Sequence, residues 1–422
     1  MEEQRRNRRN LAQNLVITVL ALSAAVLFAQ TQLYNLDLTT GQPAATAGTS
    51  QSAAPAADLT APVRVAVTGD YGRYASVALT TGDGDFADPL GRRLLEALGS
   101  AKEYAACTRT ELLRALGRPS LYYDFVEPLP LSVLAGLLGG GEDVSPREDL
   151  SARRLLLALQ SGSVSLYLWD GGESYYRAST AVSTDSLEQV IGRYELGNAS
   201  FALDGEGLEK ALDPCSLLPD QPPQLPAFTV GAPLAGGTDW LLSALGFNLR
   251  SRTRHTESNG TELIMDGDRT LRIRPDNTVY YQSGDDPSLS VRAAGELPTA
   301  REAALGAGSL LGGLLSPVSG EAQPWLQSLR RNGDVTVLRF GYQVGGVPVR
   351  FQDGSFAAEI TLTGVSVTAM TLRFRQYVPA EGSSLLLPLP QALAVAASSP
   401  GKELSIGYVE RNGECRACWL SD

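Results

Sequence analysis

The hydrophobic pattern of this chain begins with an uncharged apolar run, Leu11–Ala29. At 1.5 Å per residue a helix of this length spans roughly 28 Å, close to the ~30 Å of a bilayer's hydrocarbon core. The run follows a cluster of arginines, and the next basic residue is Arg64. Since arginine is held on the cytoplasmic side, we expect a cytoplasmic tail at 1–10, a single transmembrane anchor at 11–30 and an extracytoplasmic remainder.

A cleaved signal peptide is the alternative to a retained anchor. The apolar run is longer than that of a typical signal peptide, and Leu27 stands where a cleavage site needs a small residue. Both features favour retention.

One face of the predicted anchor carries small or hydrogen-bonding side chains, namely Asn14, Thr18, Ala21, Ala25 and Ala29. Small residues let two helices approach closely in lipid, and Asn or Thr can hydrogen-bond across the contact. The face is therefore a candidate contact for a partner's transmembrane helix. Chance spacing in an alanine-rich segment is the alternative interpretation.

Residues 31–61 are small and polar and predict a flexible tether. An N-terminal α+β domain is predicted over 62–215. Alternating valines from Val63 to Val67 predict a half-buried strand, and Ser163–Trp169 and Ser174–Thr180 predict two more.

Three helices are predicted in the same domain. One begins at Asp88-Pro89 and ends near Gly99. A capping box at Thr108–Glu111 begins the second, which stops at Gly117. A similar box at 145–148 predicts a third helix that runs through Leu155, Leu156 and Leu159 to Gly162.

A proline-rich hinge at 216–228 leads into a middle α+β domain at 229–315. Its predicted elements are a helix from Thr238 to Leu245, a helix at Glu302–Leu315, and strands at Thr261–Met265, Thr270–Arg274 and Thr278–Gln282. A C-terminal β-rich domain at 316–422 completes an α+β protein. It is predicted to be an antiparallel sheet with one packed helix, Gln391–Ala397, and strands at Val335–Phe340, Val347–Phe351, Ala358–Thr363, Val365–Ala369, Thr371–Tyr377 and Leu404–Val409.

Charge and composition exclude several function classes. The formal net charge is −11, which argues against binding nucleic acid or an anionic membrane surface. The single histidine, His255, lies in a polar arginine-rich run, and we expect it to be solvated rather than catalytic. The sequence has no G-x-S-x-G nucleophile elbow, and Pro400 and Gly401 break the helix that an S-x-x-K motif at 399–402 requires. We therefore expect no enzyme, no cofactor and no metal.

The four cysteines allow several interpretations. Cys415 and Cys418 form a lone C-x-x-C near the C-terminus, while Cys107 and Cys215 lack the spacing of a zinc knuckle. Free thiols or a local disulfide between Cys415 and Cys418 are both open, because the outer face of a membrane permits disulfides.

Several segments resemble the YycH and YycI proteins of Gram-positive bacteria. These segments are Tyr122–Pro130, Leu245–Asn248 with Asn259–Thr261 and Leu271–Tyr281, Phe340–Val349, and Leu404–Tyr408 with Cys418–Leu420. The resemblance implies an accessory regulator of the WalK/WalR (YycG/YycF) two-component system, which controls cell-wall metabolism. It also implies two partners, the sensor histidine kinase and a paired regulator of the same family.

A second hypothesis is an anchored envelope module that binds a wall polymer or a small ligand. Exposed aromatic side chains in a groove would favour it, and the candidates are Tyr122, Tyr123, Tyr175, Tyr176, Tyr280 and Tyr281. A third, an extracytoplasmic hydrolase, is disfavoured by the single histidine.

Overall fold

The computed structural model describes residues 62–421, apart from 78–85, 142, 143, 145, 148, 251 and 286. The predicted cytoplasmic tail, anchor and tether lie outside the described residues, as do Asn14, Thr18, Ala21, Ala25 and Ala29. No helix within the described part of the chain is long and apolar enough to cross a bilayer.

Within the described residues the first sheet has nine strands, and all their pairings are antiparallel. Their spatial order is β3-β7-β6-β5-β4-β1-β2-β8-β9. The strands are β1 Arg64–Thr68, β2 Tyr74–Val77, β3 Lys102–Ala106, β4 Ser120–Pro130, β5 Ser151–Gln160, β6 Ser163–Trp169, β7 Tyr175–Ser179, β8 Ala199–Phe201 and β9 Leu217–Pro219.

Helices cover both faces of this sheet. The apolar sides of three helices join the main core on one face: α1 Arg92–Ser100, α3 Leu131–Leu137 and α4 Thr184–Ile191. Helix α2, Arg109–Leu116, packs on the other face against Tyr122, Leu156 and Phe201. Strand β5 is therefore buried on both sides.

The second sheet has thirteen strands in the part of the chain that the structure describes. Their order is β11-β12-β13-β14-β19-β18-β16-β17-β21-β22-β10-β20, and β15 pairs with β16. The strands are β10 Leu225–Gly231, β11 Thr253–Thr256, β12 Glu262–Asp266, β13 Arg269–Ile273, β14 Thr278–Gln282, β15 Ala322–Asn332, β16 Val335–Val344, β17 Val347–Phe351, β18 Ala358–Thr363, β19 Ser366–Arg373, β20 Gln376–Ser384, β21 Leu404–Arg411 and β22 Glu414–Ser421.

Among the described strands of the second sheet, β17 and β21 pair in parallel and the other strand-to-strand pairings are antiparallel; Gly320 also forms an isolated parallel bridge with Tyr377 of β20. Helices α5 Asp239–Ala244 and α6 Ala300–Leu314 bury their apolar sides in the main core, which continues into the first sheet. Helix α7, Leu389–Ala396, packs on a smaller cluster that includes Leu212 and Leu404.

The α+β class is confirmed, and many predicted elements are present. The Thr108–Glu111 capping box begins α2 as expected, and Gly117 caps its end. The predicted bounds of Thr278–Gln282, Val347–Phe351 and Ala358–Thr363 are those of β14, β17 and β18. The local sequence pattern is enough to predict these elements, because the helix has a satisfied cap and each strand has a buried side and a more exposed side.

The predicted helix through Leu155, Leu156 and Leu159 is wrong. These residues lie in β5, between β4 and β6. A strand packed on both faces has a continuous apolar run, and periodicity alone does not separate such a strand from a buried helix. The two predicted strands at Val365–Ala369 and Thr371–Tyr377 are instead one strand, β19, followed by the start of β20.

The predicted hinge at 216–228 lies where the chain passes from the first sheet to the second, and its ends form β9 and β10. Strands from both sides of position 315 share the second sheet, since β14 pairs with β19. The division into three domains stays a prediction.

Candidate functional site

A row of polar side chains crosses five strands of the first sheet on the face that α2 covers. Strand register places Asp124 on β4 between Arg64 on β1 and Arg154 on β5. The row continues through Trp169 on β6 to Tyr175 on β7. Because cross-strand neighbours have Cβ atoms about 5 Å apart, each residue contacts the next.

Three arginines surround the Asp124 carboxylate, which has no solvent exposure. An Oδ2 atom accepts from Arg64 Nη2 at 2.6 Å and from Arg154 Nε at 3.2 Å. The Tyr122 hydroxyl also donates to Oδ2, at 3.2 Å, and Arg153 Nε lies 3.4 Å from Oδ1. A carboxylate buried to this degree needs such partners, because burial of an unpaired charge is costly.

Two acids from distant segments complete what we call the Arg–carboxylate cluster (Arg64, Arg109, Arg153, Arg154, Asp124, Asp213, Glu403). Glu403, which precedes β21, accepts from Arg64 and Arg153 at 2.7 Å each and also pairs with Arg154. Asp213 pairs with Arg154 at 3.0 Å and with Arg109 at 2.9 Å. The cluster thus ties the first sheet to the segment before β21.

Electrostatics favour the ionised form of Asp124. Burial by itself would raise the pKa of this carboxyl, but the guanidinium groups of Arg64, Arg154 and Arg153 outweigh burial and lower its pKa to about 2. The guanidinium of Arg154 also lies 4.3 Å from the centre of the Trp169 ring, a cation–π contact. The cluster is therefore a charged structural contact rather than an acid–base pair.

A groove of about 680 Å³ lies where the two sheets meet. The predicted hinge forms one wall, from Leu217 to Leu225, and β21 and β22 contribute Ile406 and Trp419. The volume is that of a small-molecule site.

An apolar surface lies beside this groove, around α7. Leu385 is 92% exposed, Val395 67% and Leu387 48%, and they border a cavity of about 170 Å³ that Trp419 also lines. We call Leu385, Leu387, Val395 and Trp419 the α7 patch. Clustered exposed apolar side chains are typical of protein-interaction surfaces.

The fold has a counterpart among solved structures. The crystal structure of YycH from Bacillus subtilis superposes with a TM-score of 0.58 at 11% identity, over 88% of this chain and 95% of that chain. The chain has the YycH fold. No family model and no curated protein matches the sequence.

The YycH fold confirms the resemblance predicted from the sequence. The segments on which that resemblance rests lie in strands and turns of the two sheets. Tyr122–Pro130 belongs to β4, at the centre of the first sheet, and Phe340–Val349 covers the turn between β16 and β17. These segments form strands and a turn, so they indicate the fold and carry no information about chemistry.

The two cysteines of the C-x-x-C motif lie on β22, the last strand. Cys415 is buried, Cys418 is partly exposed, and both thiols are free. Burial raises the pKa of the Cys415 thiol to about 12, which makes it a poor nucleophile. Residues three apart on a strand point to opposite faces, so the predicted disulfide, which stays a prediction, would require a local change in β22.

The candidate tyrosines divide between core and surface. Tyr122, Tyr123 and Tyr281 are buried, whereas Tyr280 lies partly exposed on a groove of the second sheet. His255 lies on the exposed strand β11, in agreement with the solvated position expected for it. Among the described residues, no group of three or more His, Cys, Asp or Glu side chains is placed to hold a metal ion.

Sequence reasoning missed the Arg–carboxylate cluster, because its members come together only through strand register and long-range packing. One signal was available: Asp124 lies inside the apolar strand Leu121–Val126, where an acid needs a buried partner.

Proposed function

We propose that this protein is a membrane-anchored, extracytoplasmic and non-enzymatic regulator that modulates a sensor histidine kinase of a cell-wall-controlling two-component system. The observation that carries the proposal is the YycH fold, which extends over 88% of the chain. The apolar run Leu11–Ala29 and the arginines before it support the anchor and its orientation.

Regulation would act through contacts that differ between the kinase's active and inactive states, since only differential contacts shift such an equilibrium. Two surfaces are available for this purpose. The anchor face with Ala21 and Ala25 would pack beside the kinase's transmembrane helices, and the α7 patch would contact the kinase's external domain. The exposure of Leu385 and Val395 supports the second contact.

The test is co-purification of the kinase with the full chain from detergent-solubilised membranes. One variant, Leu385→Asp with Val395→Asp, places charges in the α7 patch, and Leu297→Asp is its control because Leu297 is also exposed, at 51%, but lies outside the patch. A second pair compares Ala21→Leu/Ala25→Leu with Ser23→Leu, which would fall on the opposite side of a helix.

We expect recovery of the kinase with wild type and both controls and reduced recovery with the two test variants. Loss with only one test variant would assign the contact to that surface alone. Absence of the kinase from every sample would contradict the proposal and favour an envelope module that binds a ligand.

A further inference from the structure

Strands β12, β13, β14 and β19 leave one face of the second sheet open to solvent. Their inward side chains, such as Ile264, Leu271 and Met370, are buried in the core. The outward side chains line an open groove of about 530 Å³. We call this the sheet-face groove, and the residues that matter here are Thr270, Arg272, Arg274, Tyr280, Gln282 and Thr371.

Two arginines and one glutamate are the charged side chains that line this groove, so its lining carries a small positive excess although the chain as a whole is acidic. Arg272 and Arg274 are exposed and lie two positions apart on one face of the chain, and neither forms an ion pair with any residue that the structure describes. Glu257 lines the rim. The Asp276 carboxylate also attracts the Arg274 guanidinium electrostatically, but it accepts a hydrogen bond from the backbone N–H of Thr278 at 3.0 Å. The two neighbouring guanidinium groups repel each other, and a bound anion would relieve that repulsion.

The other side chains of the groove suit a ligand rich in hydroxyl groups. Register places Tyr280 directly between Arg272 on one neighbouring strand and Thr371 on the other. Arg274 donates to the Tyr280 hydroxyl over 3.4 Å. Thr270, Gln282 and Thr371 supply hydroxyl and amide groups, and a tyrosine ring can pack on the C–H groups of a polyol.

The extent of the groove indicates the size of the ligand. Four neighbouring strands spaced about 4.8 Å apart span roughly 14 Å, which exceeds one small polyol unit and so suits a short segment of an extended chain. The open shape of the groove also suits a chain that passes through it, since both ends of the bound segment can leave the surface.

From these features we infer that the sheet-face groove binds an anionic, hydroxyl-rich polymer, with Arg272 and Arg274 on its anionic groups and Tyr280 on its carbon chain. This binding is separate from the contacts proposed for the kinase. Charged arginine contacts of this kind are screened by salt, so affinity should fall as ionic strength rises.

The experiment measures binding of a fluorescent poly(glycerol phosphate) to the full detergent-solubilised chain by fluorescence anisotropy. The test variant is Arg272→Gln with Arg274→Gln, and Arg292→Gln is the control because Arg292 is also exposed but lies outside the groove. Loss of the charged contacts should weaken binding about tenfold or more. Tyr280→Ala should also weaken binding, with less change in its salt dependence.

Neutral dextran is the second probe. Binding of poly(glycerol phosphate) that falls in the double variant, persists in Arg292→Gln and is absent for dextran would support the inference. Three results would overturn it: no binding by wild type, equal binding by the double variant, or equal binding of dextran. Thermal unfolding of each variant would verify that these exposed substitutions leave the fold intact.

Discussion

The two sheets of this protein differ in how they accommodate charged side chains on their strands. On β4 and β5 of the first sheet, both faces are covered, and the charged side chains Asp124 and Arg154 are buried only because each has several partners. On β13 of the second sheet, one face is open, and Arg272 extends into solvent without an ion-pair partner among the described residues. The first arrangement holds distant segments together, whereas the second leaves charges available to a ligand.

The largest expected effect comes from Asp124→Asn. The substitution keeps the size of the side chain but leaves three guanidinium groups around a neutral amide. Breaking a buried pair in this way costs about 3–5 kcal/mol, because Glu403 and Asp213 alone compensate the buried guanidinium groups less fully. Urea unfolding, followed by circular dichroism, would measure the change in the free energy of unfolding.

The matched control is Asp149→Asn, whose carboxylate pairs with Arg147 at 2.6 Å but is 62% exposed. Surface pairs contribute little, so this variant should unfold like the wild type. Equal destabilisation by both substitutions would contradict the structural role assigned to the Arg–carboxylate cluster.

The same contrast explains how much of the fold could be predicted from the sequence. The alternation in β14 was interpretable because one side faces the core and the other faces solvent. The run through Leu155, Leu156 and Leu157 in β5 has no alternation, since both sides are buried, and its pattern does not distinguish a strand from a buried helix. When helices cover both faces of a strand, its sequence is apolar throughout because of this packing, and the alternation that would identify a strand is absent.

The candidate sites follow the same rule. The sequence offers Tyr280 as one of six candidate exposed aromatics, and local pattern alone does not separate it from the buried Tyr122 and Tyr281. The pairing of Arg64 with Glu403 depends on how segments far apart in the chain pack together, and no local pattern contains that information. Strand register also decides which arginines meet Asp124, and register becomes visible only when the sheet is assembled.

A second prediction compares leucines in the two sheets. Leu157 on β5 has no solvent exposure, and Leu157→Ala should destabilise the protein by about 3 kcal/mol through lost burial and the cavity that remains. Leu263 on β12 lies partly exposed on the open face, and Leu263→Ala should cost less than about 1 kcal/mol. Similar losses in urea unfolding would show that the open face is covered in solution.

A third prediction is a pH dependence that isolates Asp124. Its pKa is about 2 in the folded protein and near the ordinary 3.8 when unfolded, so the ionised carboxylate stabilises the fold above about pH 4 and loses that effect as pH falls toward 2. The contribution is on the order of 2 kcal/mol. Asp276 and Asp353 also have a lowered pKa, but both carboxylates are present in wild type and in Asp124→Asn, so their titration cancels in the comparison. The difference in unfolding free energy between these two proteins should therefore be constant above about pH 5 and shrink between about pH 4 and pH 2, because a protonated Asp124 is neutral like asparagine. A difference that stays unchanged down to pH 2 would mean that the carboxylate's charge does not hold the first sheet to the segment before β21.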